Sequence, residues 1–338
     1  MERLFEILSL KRGHQSVGER KFVDNILGQY PVTKLYDPQG EVLAYMLASK
    51  EHSDILWSCH IDTVHAPTDD AKQVVIWDKG MDMMYKQDGK PLGADDGAGV
   101  WLMLEMYDTG VPGTYLFHRG EERGGIGSTG MAKYHPEFIA DHNYAIAFDR
   151  RDTCSVITHQ SSGRCCSNLF AEELAARIMG KDKRFELKPD DGGIYTDTAE
   201  YTKLIPECTN VSIGYYNEHG GSEMLDLSYL SWLRDRLCSI DLTKLPIVRK
   251  TTDVESKWGD WGWGTDFLYA PPKASKKSKK LQLVEENPTC AEEIVEMRWR
   301  DVVKWVERTA PEDVADLLMN MAEDLVYNTD SFGEEYVK

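Results

Sequence analysis

The amino-acid sequence predicts an α/β protein. The expected architecture is a three-layer sandwich with a central mixed, mainly parallel sheet, followed by a helical C-terminal extension. Three observations predict it. Short apolar runs bounded by polar turns alternate with helix-period segments along residues 1–242, as when covering helices join strands. Those short runs are apolar throughout, as in strands buried on both faces. The chain has 338 residues, of which 41% are hydrophobic, enough for one large domain with an appendage.

The elements follow in order. Leu4, Phe5 and Leu8, then Phe22, Ile26 and Leu27, recur at helical spacing and predict two short helices. Ser16 with Glu19 has the form of a capping box opening the second. Residues 42–48 and 55–61 read as buried strands. The connection over 63–92 contains a hairpin, 74–77 with 83–85. A helix is expected over 97–107, a strand over 114–118, a helix over 129–134 and strands over 144–148 and 155–158. Helices over 166–179 and 197–204, a strand over 210–216 and a helix over 227–237 complete the domain.

The composition changes beyond residue 242. Residues 243–290 hold Trp258, Trp261, Trp263, Pro271-Pro272 and a lysine-rich run over 273–280, and read as a linker or surface-draped segment. Residues 291–338 read as an acidic helical hairpin. Val295, Trp299, Val302 and Val306 form its first stripe. A second capping box, Thr309 to Glu312, opens a stripe of Val314, Leu317, Leu318, Met321 and Leu325. A solvated face on packed helices is the plain reading of that charge; docking of a protein partner is the sharper one.

Charge and composition exclude several function classes. Lys plus Arg is 39 and Asp plus Glu is 57, a net charge of −18, against the basic face that a phosphate backbone requires. No run of about 18 apolar residues exists to span a membrane. Glu2, Arg3 and Glu6 interrupt the first apolar stretch, unlike a signal peptide. Seven cysteines without paired spacing suit a reducing compartment, so a cytoplasmic protein is expected.

Five short motifs carry chemistry, each at an expected strand end, where open α/β sheets place their sites. In Ser58-Cys59-His60-Ile61-Asp62, His60 and Asp62 share one face of a strand, and a carboxylate beside an imidazole can fix its tautomer for metal binding. In 91–99, small residues surround Asp95 and Asp96 ahead of a helix. Either acid can bridge two ions, and either can cap the helix. In 118–127, Glu121 and Glu122 adjoin among glycines and repel each other unless cations are present. One can ligate; the other can exchange a proton with water. Asp149 ends an apolar run. His219 follows the last strand. Together they form an oxygen and nitrogen ligand inventory, without cysteine, of the kind used by hydrolytic sites with open coordination positions.

The ordered motifs resemble those of the co-catalytic di-zinc exopeptidase superfamily, which includes peptidase T-like tripeptidases and zinc aminopeptidases. Residues 92–96 look like the peptidase T-like turn, and Gly120-Glu121-Glu122 with Gly127-Ser128 looks like the aminopeptidase one. The resemblance covers residues 1–240. It implies two divalent ions, with zinc, cobalt and manganese all suited. It implies that Asp95 bridges them, that His60 and Asp149 complete one site and that Glu122 and His219 complete the other. It implies Glu121 as general base and Asp62 as the residue orienting His60. Two departures stand out. Gly97 occupies the place of a lysine in the peptidase T-like turn. Only 69 residues separate Asp149 from His219, too few for the core elements and a lid domain as well.

The expected activity is therefore metal-dependent exopeptidase hydrolysis, as an aminopeptidase, of a peptide or N-substituted amino acid. Amide deacylation, glutaminyl cyclisation or a non-catalytic metal-binding interaction protein are the alternatives on the same residues. Tyr195, Thr196 and Asp197 precede an expected helix and are candidates to line the substrate pocket, with helix capping by Thr196 or Asp197 the plainer reading. Arg164 is a candidate to meet a substrate carboxylate, with a surface salt bridge the plainer one.

Overall fold

A computed structural model describes residues 1–252 apart from 52, 69, 161, 162 and 243. Of the linker expected over 243–290, residues 244–252 are described and Arg249 among them is buried; the rest of it and the acidic hairpin lie outside the described residues. The helices are α1 (Glu2–Leu8), α2 (Val17–Asn25), α3 (Ala94–Asp108), α4 (Ile126–Tyr134), α5 (Pro136–Ala140), α6 (Asn168–Met179) and α7 (Leu227–Leu237). The strands are β1 (Thr33–Tyr36), β2 (Val42–Ala48), β3 (Ile55–His60), β4 (Ile76–Asp78), β5 (Met83–Tyr85), β6 (Thr114–His118), β7 (Tyr144–Arg150) and β8 (Ser155–Ile157). They continue with β9 (His159–Gln160), β10 (Gly163–Arg164), β11 (Lys188–Asp190), β12 (Glu207–Ser212), β13 (Tyr215–Tyr216) and β14 (Met224–Asp226).

Eight strands form the central sheet in the order β1-β2-β6-β3-β7-β12-β8-β11. Its middle, β6-β3-β7-β12, is parallel; β1-β2, β2-β6 and β12-β8 are antiparallel and β8-β11 is parallel. The sheet is the mixed, mainly parallel one that the alternation of strands and helices predicts. Period-2 alternation splits its side chains between two apolar layers. Trp57 and Cys59 of β3 and Ile146 and Phe148 of β7 pack with α1, α3, α6 and α7. Leu56, Leu116 and Ala145 face the other way, with Met131 of α4 and Ile139 of α5. Trp57 stacks on Phe148 at 5.7 Å. α3 is buried almost all round, as an apolar helix without a polar face must be.

Several boundaries differ from the sequence expectation. The strand expected over 210–216 is two strands, β12 and β13, broken at Gly214, whose φ of +95° only glycine adopts readily. The helix expected from 166 begins at Asn168, because the Ser167 hydroxyl caps it by accepting from Phe170 N–H at 3.1 Å. Residues 197–204 form only a short 3-10 turn, Asp197–Tyr201, and no side chain caps it. β1, β9, β10, β11, β14 and α5 were not expected. They are short, and β11 carries Pro189 in an edge strand, where no ladder donor is required. A further four-stranded antiparallel sheet, β13-β14-β5-β4, includes the expected hairpin.

The first capping box forms and does more than cap. Ser16 Oγ accepts from Glu19 N–H at 3.1 Å, while Glu19 Oε2 accepts from Gln15 N–H at 2.7 Å. Arg119, at the end of β6, donates to both Glu19 oxygens at 3.0 and 2.9 Å, clamping α2 to the sheet. Burial works to raise the Glu19 pKa, but bonds to His14, Arg119 and Gln15 outweigh it and hold the carboxyl at about 2. A depressed folded pKa stabilises above the unfolded value, near 4.5, and that stability disappears as pH falls towards 2. The increment is about 3 kcal/mol. Urea midpoints measured from pH 6 down to 3 should therefore fall more steeply for the wild type than for Glu19→Gln, and parallel profiles would refute the clamp.

Candidate metal centre

The sheet brings the candidate ligands together by register. Ser58 of β3 pairs with Ala147 of β7, so both strands run out together and present His60 and Asp149 at their C-terminal ends. β6 lies on the other side of β3 and leads through the Gly120 turn to Glu121 and Glu122. Asp95 enters from the start of α3, where its backbone and that of Asp96 depart from helical angles. His219 enters from the loop after β13, half-exposed, whereas His60, Asp95 and Asp149 are buried.

Asp95 joins the two halves. Its Oδ1 lies 3.0 Å from His60 Nε2 and its Oδ2 lies 2.9 Å from His219 Nε2. His60 Nε2 is also 3.5 Å from Asp149 Oδ1 and 4.0 Å from Glu121 Oε2. His219 Nε2 lies 3.2 Å from Glu122 Oε1, without hydrogen-bond geometry. His60, Asp95 and Asp149 thus form one ligand-sized group and Asp95, Glu122 and His219 another; a third, His60, Glu121 and Glu122, overlaps both.

The two acids of the turn divide the roles left open by the sequence. Asp95 faces the site. Asp96 Oδ1 accepts from Gly99 N–H at 3.0 Å as a helix cap, and its Oδ2 accepts from His60 N–H at 3.2 Å. The peptide between them is cis. Asp62 also differs from its expected part. His60 Nδ1 bonds the main-chain carbonyl of Asp62 at 3.0 Å, while Asp62 Oδ1 stands 3.8 Å away. That oxygen accepts instead from Gly120 and Glu121 N–H, at 2.8 and 3.2 Å. Asp62 therefore fixes the tautomer of His60 through its backbone and the turn bearing Glu121 through its side chain.

The charges do not balance within the protein. Burial raises the Glu121 carboxyl to about 9, with Asp149, Asp197 and Asp95 adding to the rise against His60. Burial raises Asp149 and Glu122 as well. The Asp95 and Glu122 carboxylates facing its imidazole pull His219 up to about 11. Burial opposes the bonds from His219 and His60 at Asp95, and those bonds win, leaving it well below the usual carboxylate range. Buried carboxylates crowded beside imidazoles that are drawn towards their charged forms indicate a cluster short of positive charge. Oxygen and imidazole donors suit divalent ions, so the residues fit two of them. The arrangement is that of two adjoining ligand-sized groups that share Asp95.

Residues that the sequence analysis did not single out hold the ligands in place. Glu223 accepts from four consecutive N–H groups, Leu92, Gly93, Ala94 and Asp95, at 2.7–3.2 Å. Burial and Asp95 raise its pKa to about 7 against those donors. Its only sequence signal was an acid near His219 in a glycine-rich loop. Arg12 is fully buried and donates to Ile61, Ile7 and Gly93 carbonyls at 2.9, 2.8 and 3.2 Å. It explains Gly97: a Cβ there would lie 2.9 Å from Arg12 Nη2. Asn210 brackets Asp149, accepting its N–H at 2.9 Å and donating to its carbonyl at 2.6 Å. Replacing Glu223 by Ala should weaken metal affinity about 10–100-fold, measured by competition with a chromophoric chelator; unchanged affinity would remove Glu223 from the support.

The remaining candidates separate. Tyr195 lines the cavity beside the centre. Thr196 Oγ1 donates to Asp149 Oδ2 at 2.7 Å, and Tyr215 OH donates to Asp149 Oδ1 at 3.1 Å. Thr196 thus positions Asp149 and does not line the cavity. Asp197 is buried with its Oδ2 3.3 Å from His118 Nδ1. Burial raises it to about 8. Arg164 Nη1 donates to the neutral amide of Asn168, at Oδ1, at 2.9 Å, and Arg164 does not line the cavity. Cys59, beside His60, packs in the core as expected of a small hydrophobe.

The fold is similar to that of solved peptidases. Aminopeptidase PepT from Bacillus cereus aligns with a TM-score of 0.56 at 13% identity, over 70% of this chain and 95% of that one. A tripeptidase from Staphylococcus aureus aligns at 0.52 and 12%, over 70% and 95%. An aminopeptidase from the archaeon Desulfurococcus kamchatkensis aligns at 0.51 and 12%, over 70% and 94%. No protein-family model matches the chain, and no curated protein does. At such identities the likeness is one of fold: the chain has the α/β sandwich of these proteins.

Proposed function

We propose that this protein is a two-metal exopeptidase that removes N-terminal residues from peptides. The observation that carries the proposal is Asp95, whose two oxygens face two different imidazoles at 3.0 and 2.9 Å with Glu121 beside them. His60, Asp149 and one Asp95 oxygen would hold the first ion; Glu122, His219 and the other oxygen would hold the second. When bound, such ions acidify water and stabilise negative charge developing on a carbonyl oxygen. Glu121 accepts a proton from that water at its carboxylate and passes it to the nitrogen of the leaving amine. Asp62 keeps the Glu121 backbone in place for both transfers. Thr196 and Tyr215 each donate to one oxygen of Asp149 and Asn210 brackets its backbone, so the carboxylate is oriented before substrate arrives.

The activity is tested with the zinc-loaded protein, and separately with cobalt or manganese, on a mixed peptide library read by mass spectrometry. Metal-dependent loss of N-terminal residues supports the proposal. Loss from the C-terminus would keep the centre and reverse the polarity. Intact peptides with two ions bound would sink the peptidase reading and favour acylated small molecules.

A further inference from the structure

The cavity of about 230 Å³ beside the centre is lined by Asp95, Glu121, Asp149 and Glu218 and also by Arg150 and Arg151. The two arginines differ in their commitments. Arg151 is half-exposed and lies 3.3 Å from Glu218, itself at the cavity wall. Arg150 ends β7 directly after Asp149, and its side chain is 16% exposed. Its Nη2 reaches Asp190 Oδ2 at 3.4 Å, a long contact, and its buried Nε has no hydrogen-bond partner. Asp190 does not depend on that contact. Its carboxylate already accepts from Ser155 Oγ at 2.6 Å and Gly192 N–H at 2.7 Å. Asp190 thus steadies a guanidinium whose donors are incompletely used. A Cβ at Gly192 would stand 2.8 Å from Asp190 Oδ1, so glycine there leaves room for that carboxylate.

A half-satisfied guanidinium in a cavity is matched by a group that accepts two parallel N–H bonds, and a carboxylate does so. We propose that Arg150 makes this cavity a carboxylate-recognising subsite, so that preferred substrates carry a carboxylate close to the bond cleaved. The substrate class rests on the exopeptidase reading; the subsite itself does not. That carboxylate has two sources, an acidic side chain or the free C-terminus of a very short peptide.

The test compares ligands that differ by one carboxylate. For hydrolysis by the zinc-loaded full chain, the pairs are a peptide amide beginning with Glu against one beginning with Gln, and Ala-Ala-Ala against its amide. The carboxylate member of at least one pair should show kcat/KM about tenfold higher or more, the worth of one charge-assisted hydrogen bond. The first pair reports a side chain and the second a terminus. Arg150→Met should bring the ratio to within about twofold, and Arg150→Lys, which keeps the charge without the fork, should restore part of it. For binding, calorimetry on the Glu121→Gln protein uses glutamate amide against glutamine amide, and Ala-Ala against its amide. Equal wild-type affinities and rates within both pairs would overturn the subsite, and so would a preference that survives Arg150→Met. Binding discrimination that depends on Arg150 in a protein that cleaves no peptide would retain the subsite and refute the exopeptidase. Cleavage without discrimination would do the reverse.

Discussion

Glu121→Gln is expected to lower kcat about 10²–10⁴-fold, with the metal content of the protein unchanged. Gln matches the shape of Glu but cannot take a proton from water or return one to an amine. The side chain sits 4.0 Å from His60 Nε2, outside the two groups that share Asp95. Its main-chain N–H, which Asp62 holds, is untouched by the change. The variant therefore isolates proton transfer from architecture. Metal content by elemental analysis and kcat by mass spectrometry decide the matter. A variant that retains both ions and full activity would remove Glu121 from the mechanism. A variant that loses an ion would make it a ligand, as its place in the third overlapping group allows.

Asp95→Asn tests the junction of the centre. Both carboxylate oxygens are engaged, one towards His60 and one towards His219. Asn leaves one oxygen and puts an amide nitrogen, which cannot ligate, in place of the other. At most one ion should then be retained per chain. Hydrolysis should fall at least about a thousandfold, as when an electrostatic group acting directly in a reaction is lost. Zinc at about 100 times its Kd should stabilise the wild type by about 2.7 kcal/mol per site, and this increment should shrink in the variant. Two ions bound with wild-type affinity would show that Asp95 does not bridge. Arg12→Met provides a contrast from outside the ligand set. Three carbonyls would lose a buried donor, at a cost of about 2–5 kcal/mol in urea unfolding. A change under 1 kcal/mol would mean that the turn before α3 is held by Glu223 alone.

Much of the centre was legible because β-geometry converts sequence spacing into direction. Two apolar runs, ending in His60 and Asp149, are adjacent parallel strands in one register, so both side chains arrive at the same edge. The acids at 95 and 96 could not be told apart by sequence. A cap and a ligand are both short carboxylates before a helix, and the difference lies in which backbone N–H is in reach. Asp62 shows the same limit: its spacing from His60 is right, but its oxygen bonds the Gly120 turn, which folds back from another strand.

By itself, the sequence determined the alternation that makes the sandwich, the strand ends that carry acids and imidazoles, and the local cap at Ser16. All of these depend on residues within a few positions of one another, where periodicity and capping chemistry act. Tertiary structure alone decided which groups meet. Glu223 reaches the turn before Asp95 from about 130 positions along the chain, Arg12 threads between α1, the end of β3 and that turn, and Asp149 is held by Thr196, Asn210 and Tyr215. The physical reason is that a buried polar group must find its partner wherever the packed chain places one, and no local pattern encodes that distance.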